Sequence, residues 1–217
     1  MLDEECARGP GRLRVAVLVS GNGTNLQALI DAFPKDDPRV DLVVVVSNQA
    51  EAFALERARR AGIGSRVIHH RDFASRAEFE DALALVLRER GAQLVVLAGF
   101  MRLLGATLLD AFAQRVINVH PALCPAFPGL DAPRQALEHG ARLSGCTVHF
   151  VDGGTDTGPI IAQSVVPIAP DDDATSLGDR IRRAEHALLP LVVSWFSEGR
   201  VRVTGRRVSV LPAHTTR

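Results

Sequence analysis

The chain has 217 residues, of which 47% are hydrophobic, and its 25 basic and 25 acidic side chains cancel. That is enough apolar chain to bury a substantial core as one domain, spanning residues 1–217 with the core at about 13–203, and the balanced charge argues against a general nucleic-acid or membrane surface. Three cysteines (Cys6, Cys124 and Cys146), an odd number without Cys-x-x-Cys spacing, argue against a disulfide framework or a zinc ribbon and for a reducing compartment.

Met1 to Gly11 is polar and lacks the charged-then-apolar pattern of a signal peptide, and no apolar run reaches the roughly 18 residues of a membrane span. A cytoplasmic protein is expected. Leu13 to Val19 reads as a buried strand, followed by Ser20-Gly21-Asn22-Gly23-Thr24-Asn25 and an apolar-faced helix that Thr24 and Gln27 could cap as a capping box. Val40 to Val46 is a second strand and Glu51 to Ala61 a helix ended by Gly62. Ser65 to Ile68 is a brief third strand, and a helix from Asp72 or Ser75 runs to about Arg90. Leu94 to Ala98 is a fourth strand, Thr107 to Phe112 a short helix, and Val116 to His120 a strand that Pro121 ends.

After Pro121 comes a proline-rich loop to residue 133, then a short helix over Arg134 to His139. Cys146 to Val151 and Ile160 to Val166 are strand-like. The stretch Asp152-Gly153-Gly154-Thr155-Asp156-Thr157-Gly158-Pro159 between them is too long and glycine-rich for a tight hairpin, and reads as a ligand-facing loop. Asp173 to Glu198 is a long helix that Pro190 should kink or split, and Val201–Val203 with Arg207–Val210 form a terminal hairpin. Alternating strands and helices of these lengths predict an α/β fold, a doubly wound, mostly parallel sheet with helices on both faces.

Three features could carry chemistry. The Gly21–Asn25 turn joins a strand to a helix N-terminus, where backbone N–H groups and the helix dipole suit a phosphate. It is neither a Walker loop nor G-x-G-x-x-G, since residue 26 is Leu, and an ordinary turn is the plainer reading. Asn118 and His120, two apart on a strand, share one side. An imidazole can exchange a proton during attack on a carbonyl, and an amide N–H can stabilise the resulting oxyanion, although both residues could merely satisfy nearby backbone groups. A carboxylate from the glycine-rich loop could orient His120 and favour its cationic form; Asp152 and Asp156 cannot be ranked on residue chemistry. Cys124, with nothing nearby to lower its pKa, is a poor nucleophile. His69-His70 lacks metal-ligand spacing, so no metal is expected. Arg182 and Glu185, three apart on the last helix, read most simply as a surface ion pair.

Three motifs in order, Ser20-Gly21-Asn22-Gly23-Thr24-Asn25, Leu97 to Leu104 with Asn118-Val119-His120-Pro121, and Val148-His149-Phe150-Val151 leading to Asp156-Thr157-Gly158-Pro159, closely resemble the glycinamide ribonucleotide formyltransferase family of purine synthesis. The resemblance implies a Rossmann-like formyltransferase fold and transfer of a formyl group from 10-formyltetrahydrofolate, a cosubstrate, to the amine of 5-phosphoribosylglycinamide. It makes Asn118, His120 and Asp156 the catalytic trio, which ranks Asp156 above Asp152. It gives Gly23, Thr24, Asn25 and Glu185 to the ribonucleotide. Arg76, Met101, Arg102, Leu103, Leu104, Asn118, Asp152, Gly153, Gly154, Thr155 and Asp156 go to the folate, with Arg76 on its carboxylate. It further implies small-molecule partners only, no nucleic acid or membrane, and a monomer or homodimer. The chain departs from the family pattern at Ala122, Cys124, Ala126, Asp131 and Pro133. A formyltetrahydrofolate deformylase, which shares the trio, and a non-catalytic folate-binding module are the competing readings.

Overall fold

The structure, a computed structural model, describes residues 11–213. The polar leader with Cys6 and residues 214–217 lie outside the described residues. Seven strands form one sheet in the order β3-β2-β1-β4-β5-β6-β7. They are β1 (Leu13–Val19), β2 (Val40–Ser47), β3 (Ser65–Val67), β4 (Leu94–Leu97), β5 (Val116–His120), β6 (Leu143–Phe150) and β7 (Ile160–Pro167). Strands β1 to β5 pair in parallel, and β5–β6 and β6–β7 pair antiparallel.

The helices are α1 (Thr24–Ala32), α2 (Phe53–Arg60), α3 (Arg76–Glu89), α4 (Ala106–Ala111), α5 (Ala132–Glu138) and α6 (Ala174–Ser197), and β8 (Val201–Thr204) with β9 (Arg207–Val210) makes the terminal hairpin. The sheet separates two apolar layers because side chains alternate along each strand. Val15, Val17 and Val19 pack with Leu26 and Leu29 of α1 and Leu177, Ile181 and Leu189 of α6. Ala16 and Leu18 face the other way, toward Phe79, Leu83 and Leu87 of α3 and Leu108 of α4. The doubly wound expectation holds.

The chain leaves β1 toward β2 on one side and occupies β4 on the other, so the C-terminal ends of β1 and β4 flank a topological switch point, where α/β sheets bind ligands. The Ser20 N–H donates to the Gly99 carbonyl there at 3.1 Å.

Local expectations fared unevenly. Ser75 caps α3, its hydroxyl accepting from the Glu78 N–H at 3.2 Å. The Thr24/Gln27 capping box is absent: Gly23 is the N-cap and gives no side-chain bond, while the Gln27 side chain donates to Asp31 at 2.8 Å and accepts from Arg57 at 3.0 Å. The capping box is instead on α6, where Asp173 accepts from the Thr175 and Ser176 N–H groups and Ser176 reaches back to the Asp173 N–H. Pro190 does not split α6, which runs unbroken for 24 residues; buried Leu188, Leu189, Val192 and Val193 hold the helix to the sheet on both sides of the proline. Helix α5 begins at Ala132, with Pro133 in its first turn, where a missing N–H costs nothing.

Candidate active site

The Gly21–Asn25 turn leaves the end of β1 and opens α1. Gly23 has φ +75, the left-handed region, and a Cβ there would lie 2.5 Å from the Ala54 Cβ. The first three carbonyls of the turn each have a donor: Gly21 accepts from the Ala54 N–H at 3.1 Å, Asn22 from Arg57 at 2.8 Å, and Gly23 from the Gln27 N–H of α1 at 2.9 Å. The N–H groups of Gly23, Thr24, Asn25 and Leu26 have no acceptor among the described residues, which is the arrangement an anion at a helix N-terminus requires.

Behind the turn, the Asn25 side-chain amide donates to Glu185 at 3.0 Å. Glu185 is buried at 7% exposure, and the expected surface pair with Arg182 is not formed; Arg182 pairs with exposed Asp179 at 2.6 Å. Glu185 takes its place in the apolar stripe Leu177, Ile181, Glu185, Leu188, Val192. Burial pushes its carboxyl up to about 7, against the opposing effects of the Asn25 bond and the Arg182 charge. A cavity of about 580 Å³ lies along the outer side of the turn, lined by Thr24, Gln27, Arg57 and His186 among others. Asn118, His120 and Asp156 do not line it.

The trio assembles where the sheet changes direction. In the antiparallel β5–β6 ladder, Asn118 is opposite His149 and His120 opposite Thr147, so all four side chains share one face. Their neighbours Ile117, Val119, Val148 and Phe150 enter the core on the other. A register irregularity in the β6–β7 ladder falls between Val148 and His149.

Asp156 arrives from the glycine-rich loop with φ +55, uncommon for a residue with a side chain. One of its oxygens, Oδ2, lies 3.3 Å from His120 Nδ1 and accepts from the Gly129 N–H at 2.8 Å. The other, Oδ1, accepts from the Asn118 amide at 3.3 Å and lies 3.6 Å from His149 Nε2. Asp152 instead accepts from the Gly154 N–H and the Thr157 hydroxyl, holding the loop's own turn. Of the two, Asp156 is the one that contacts Asn118 and His120 among the described residues.

The second ring nitrogen of His120, Nε2, lies 2.8 Å from the Phe127 carbonyl. His120 is therefore bracketed by two acceptors, and only the imidazolium donates to both. Burial raises the Asp156 carboxyl, but bonds from His149 and the Gly129 N–H and the charge His120 can carry outweigh it and hold Asp156 below the usual carboxylate range. His149, from the Val148–Val151 motif, is a fourth polar side chain on this face. Its Nδ1–H donates to the Phe150 carbonyl at 2.8 Å, and its Nε2 lies 3.2 Å from the Asn118 amide.

The remaining candidates lie around this centre. Met101 and Leu103 are exposed apolar side chains and Leu104 is buried. This segment is tied down by Ser20, whose hydroxyl accepts from the Met101 N–H at 2.8 Å and donates to Asn48 at 2.6 Å. Arg76 packs against Gly105 and pairs with Glu80 at 3.5 Å. Buried Glu80, which the sequence did not single out, accepts from the Gly105 N–H at 2.6 Å. Cys124 is buried with its pKa raised mainly by burial, in keeping with an inert thiol. Among the described residues no cluster of potential metal ligands occurs.

A strand-end amide, imidazole and carboxylate, at the same edge of the sheet as a helix N-terminus with unbonded N–H groups, are the kind of groups that an acyl-group transfer site uses. The match of residues 13–193 to the formyl transferase family model places the chain in that family. Within it the chain is 42% identical to the phosphoribosylglycinamide formyltransferase of Escherichia coli strain K12 over 191 residues, which is 88% of this chain and 90% of that one. It is 50% identical over 191 residues to the trifunctional purine biosynthetic protein adenosine-3 of Drosophila melanogaster, covering 87% of this chain. The chain spans only 14% to 19% of the length of such trifunctional relatives. Among solved structures, glycinamide ribonucleotide transformylase 1 from Symbiobacterium toebii superimposes with a TM-score of 0.91 at 45% identity, covering 98% of this chain and 100% of that one. The fold is thus the Rossmann-like formyltransferase fold.

Proposed function

We propose that the chain transfers a formyl group from 10-formyltetrahydrofolate to the primary amine of 5-phosphoribosylglycinamide, as a single formyltransferase domain working in the cytoplasm. The observation that carries this reading is the convergence of Asn118 and His120 on Asp156, each with a polar atom 3.3 Å from one of its carboxylate oxygens, at the same edge of the sheet as a turn whose N–H groups have no acceptor among the described residues. The donor supplies an electrophilic formyl carbon on nitrogen. The amine forms a bond to that carbon, the carbon–folate nitrogen bond breaks, and one proton passes from amine to folate nitrogen.

The residues divide this work. To donate to the oxygen as it gains charge, His120 Nε2–H leaves the Phe127 carbonyl and the Asn118 amide gives up one of its contacts to Asp156 and His149; one well-placed donor contributes about 3 kcal/mol. Asp156 orients the His120 ring through Nδ1 and relays the proton. Gly23, Thr24 and Asn25 take the phosphate. Glu185 takes the body of the ribonucleotide together with Asn25, whose Oδ1 is buried and has no partner among the described residues. Met101 to Leu104 and Asp152 to Thr155 line the pterin pocket, an assignment supported by the exposed apolar side chains of Met101 and Leu103, and Arg76 offers an exposed guanidinium to the folate carboxylate. Direct transfer requires neither an acyl-enzyme nor a metal ion.

The test is incubation with 10-formyltetrahydrofolate, with and without phosphoribosylglycinamide, following tetrahydrofolate. Release only in the presence of the amine is expected. Release without it would make the chain a hydrolase, and no release under either condition would leave a binding module.

A further inference from the structure

We propose that Arg57 is the positioning residue of the anion-binding turn, acting from α2 and touching no substrate. The proposal rests on the reading of Gly21 to Asn25 as the phosphate site. A flexible glycine-rich turn presents its N–H groups to an anion only if its carbonyls are turned away, because each peptide unit points the two in opposite directions. Helix α2 supplies what holds two of them, at Gly21 and Asn22.

Its first turn contributes the Ala54 N–H to the Gly21 carbonyl, and Ala54 fills the space that a Cβ on Gly23 would need. One helical turn on, Arg57 clamps Asn22 twice: Nε donates to its carbonyl and Nη2 to its side-chain oxygen, both at 2.8 Å. Its third donor, Nη1, reaches Gln27 Oε1 on α1 at 3.0 Å. The guanidinium thus spans the residue before the left-handed Gly23 and the first full turn of the helix after it, fixing the angle between turn and helix. Its own plane is steadied over the Phe53 ring, 4.9 Å away. Three donors aimed in fixed directions at three acceptors are a task for arginine rather than lysine.

The experiment titrates the full chain and its variants with inorganic phosphate, following the backbone amides of Thr24 and Asn25 by NMR, alongside steady-state kinetics. In the unsubstituted protein both amides shift. With Arg57→Ala, at least tenfold more phosphate is needed for the same shift and KM for phosphoribosylglycinamide rises by a similar factor. At the same time kcat and KM for 10-formyltetrahydrofolate stay within twofold. Arg57→Lys, which keeps the charge and loses the forked geometry, remains at least fivefold weaker than the unsubstituted protein. Asn22→Ala removes one acceptor only and costs less, and the double variant is no weaker than Arg57→Ala alone because both act through one clamp. Full recovery in Arg57→Lys, additive losses in the double variant, or a parallel rise of both KM values would overturn the proposal. Amides that ignore phosphate in the unsubstituted protein would overturn the phosphate-site reading itself, a result distinct from a turn that binds without needing Arg57.

Discussion

The two ends of the site are built from different materials. The upstream end is backbone: N–H groups of one turn, with glycine geometry and a brace from α2 deciding where they point. The downstream end is side chains: an amide, two imidazoles and a carboxylate that meet across a strand pair and a loop. Even their acids behave oppositely. Asp156 is held below the carboxylate range by the hydrogen bonds and charge around it, and Glu185 is pushed up to about 7 by burial. Identity matters most where side chains do the chemistry, and shape matters most where the backbone does.

The sharpest break of that contrast is at His120. Replacing it with Asn removes the charge and the proton path while leaving the pocket wall, so kcat should fall by about 10²–10⁴ with folate still bound; turnover near that of the unsubstituted protein would refute the assignment. Next is Gly23→Ala, a change of no chemical consequence. The added methyl meets Ala54 at 2.5 Å, and the turn must move, so KM for the ribonucleotide should rise by about tenfold or more with kcat changed far less. An unaltered KM would show that the turn does not hold the substrate.

A smaller effect separates the two acids. Because the folded-state pKa of Glu185 is raised, its protonated form favours folding at low pH, and stability is lost as pH rises from 4.5 toward about 7. Glu185→Gln cannot lose that proton. Its melting temperature relative to the unsubstituted protein should therefore climb between pH 5 and pH 8, by the equivalent of up to about 3 kcal/mol. A difference that stays flat with pH would mean the buried acid does not titrate there. Asp156 carries the opposite sign, contributing stability above 3.8 that is lost as pH falls. Smallest of all is Arg206→Ala. This exposed side chain on the terminal hairpin donates to the Thr157 carbonyl at 2.6 Å, and a single solvated bond to the Asp156 loop should be worth less than about twofold in kcat.

Much of this was legible in the sequence because continuous apolar runs report buried parallel strands directly. Strands β1, β2, β4 and β5 and the turn after β1 needed nothing more. Glu185 was also within reach: counting fours from Leu177 through Ile181 arrives at it, and that periodicity outweighs the local pairing with Arg182. His149 was not. Its place beside Asn118 depends on how β6 registers against β5, a long-range choice that no local pattern records. The grip of Arg57 on Asn22, across 35 residues, is hidden for the same reason, and so is the capping of α4 by Glu80.

The pairing of β5 with β6 has one more consequence. Strand residues alternate faces, so sliding β6 by a single position would send Thr147 and His149 into the core and bring Val148 and Phe150 to the reacting side. Asn118 and His120 would be untouched, every residue type would be preserved, and the site would be gone. The centre therefore has a reading frame, much as a gene does. Deleting one residue inside β6, ahead of Thr147, is a frameshift within the folded protein, and under the proposed mechanism it is harsher than many substitutions at the site itself.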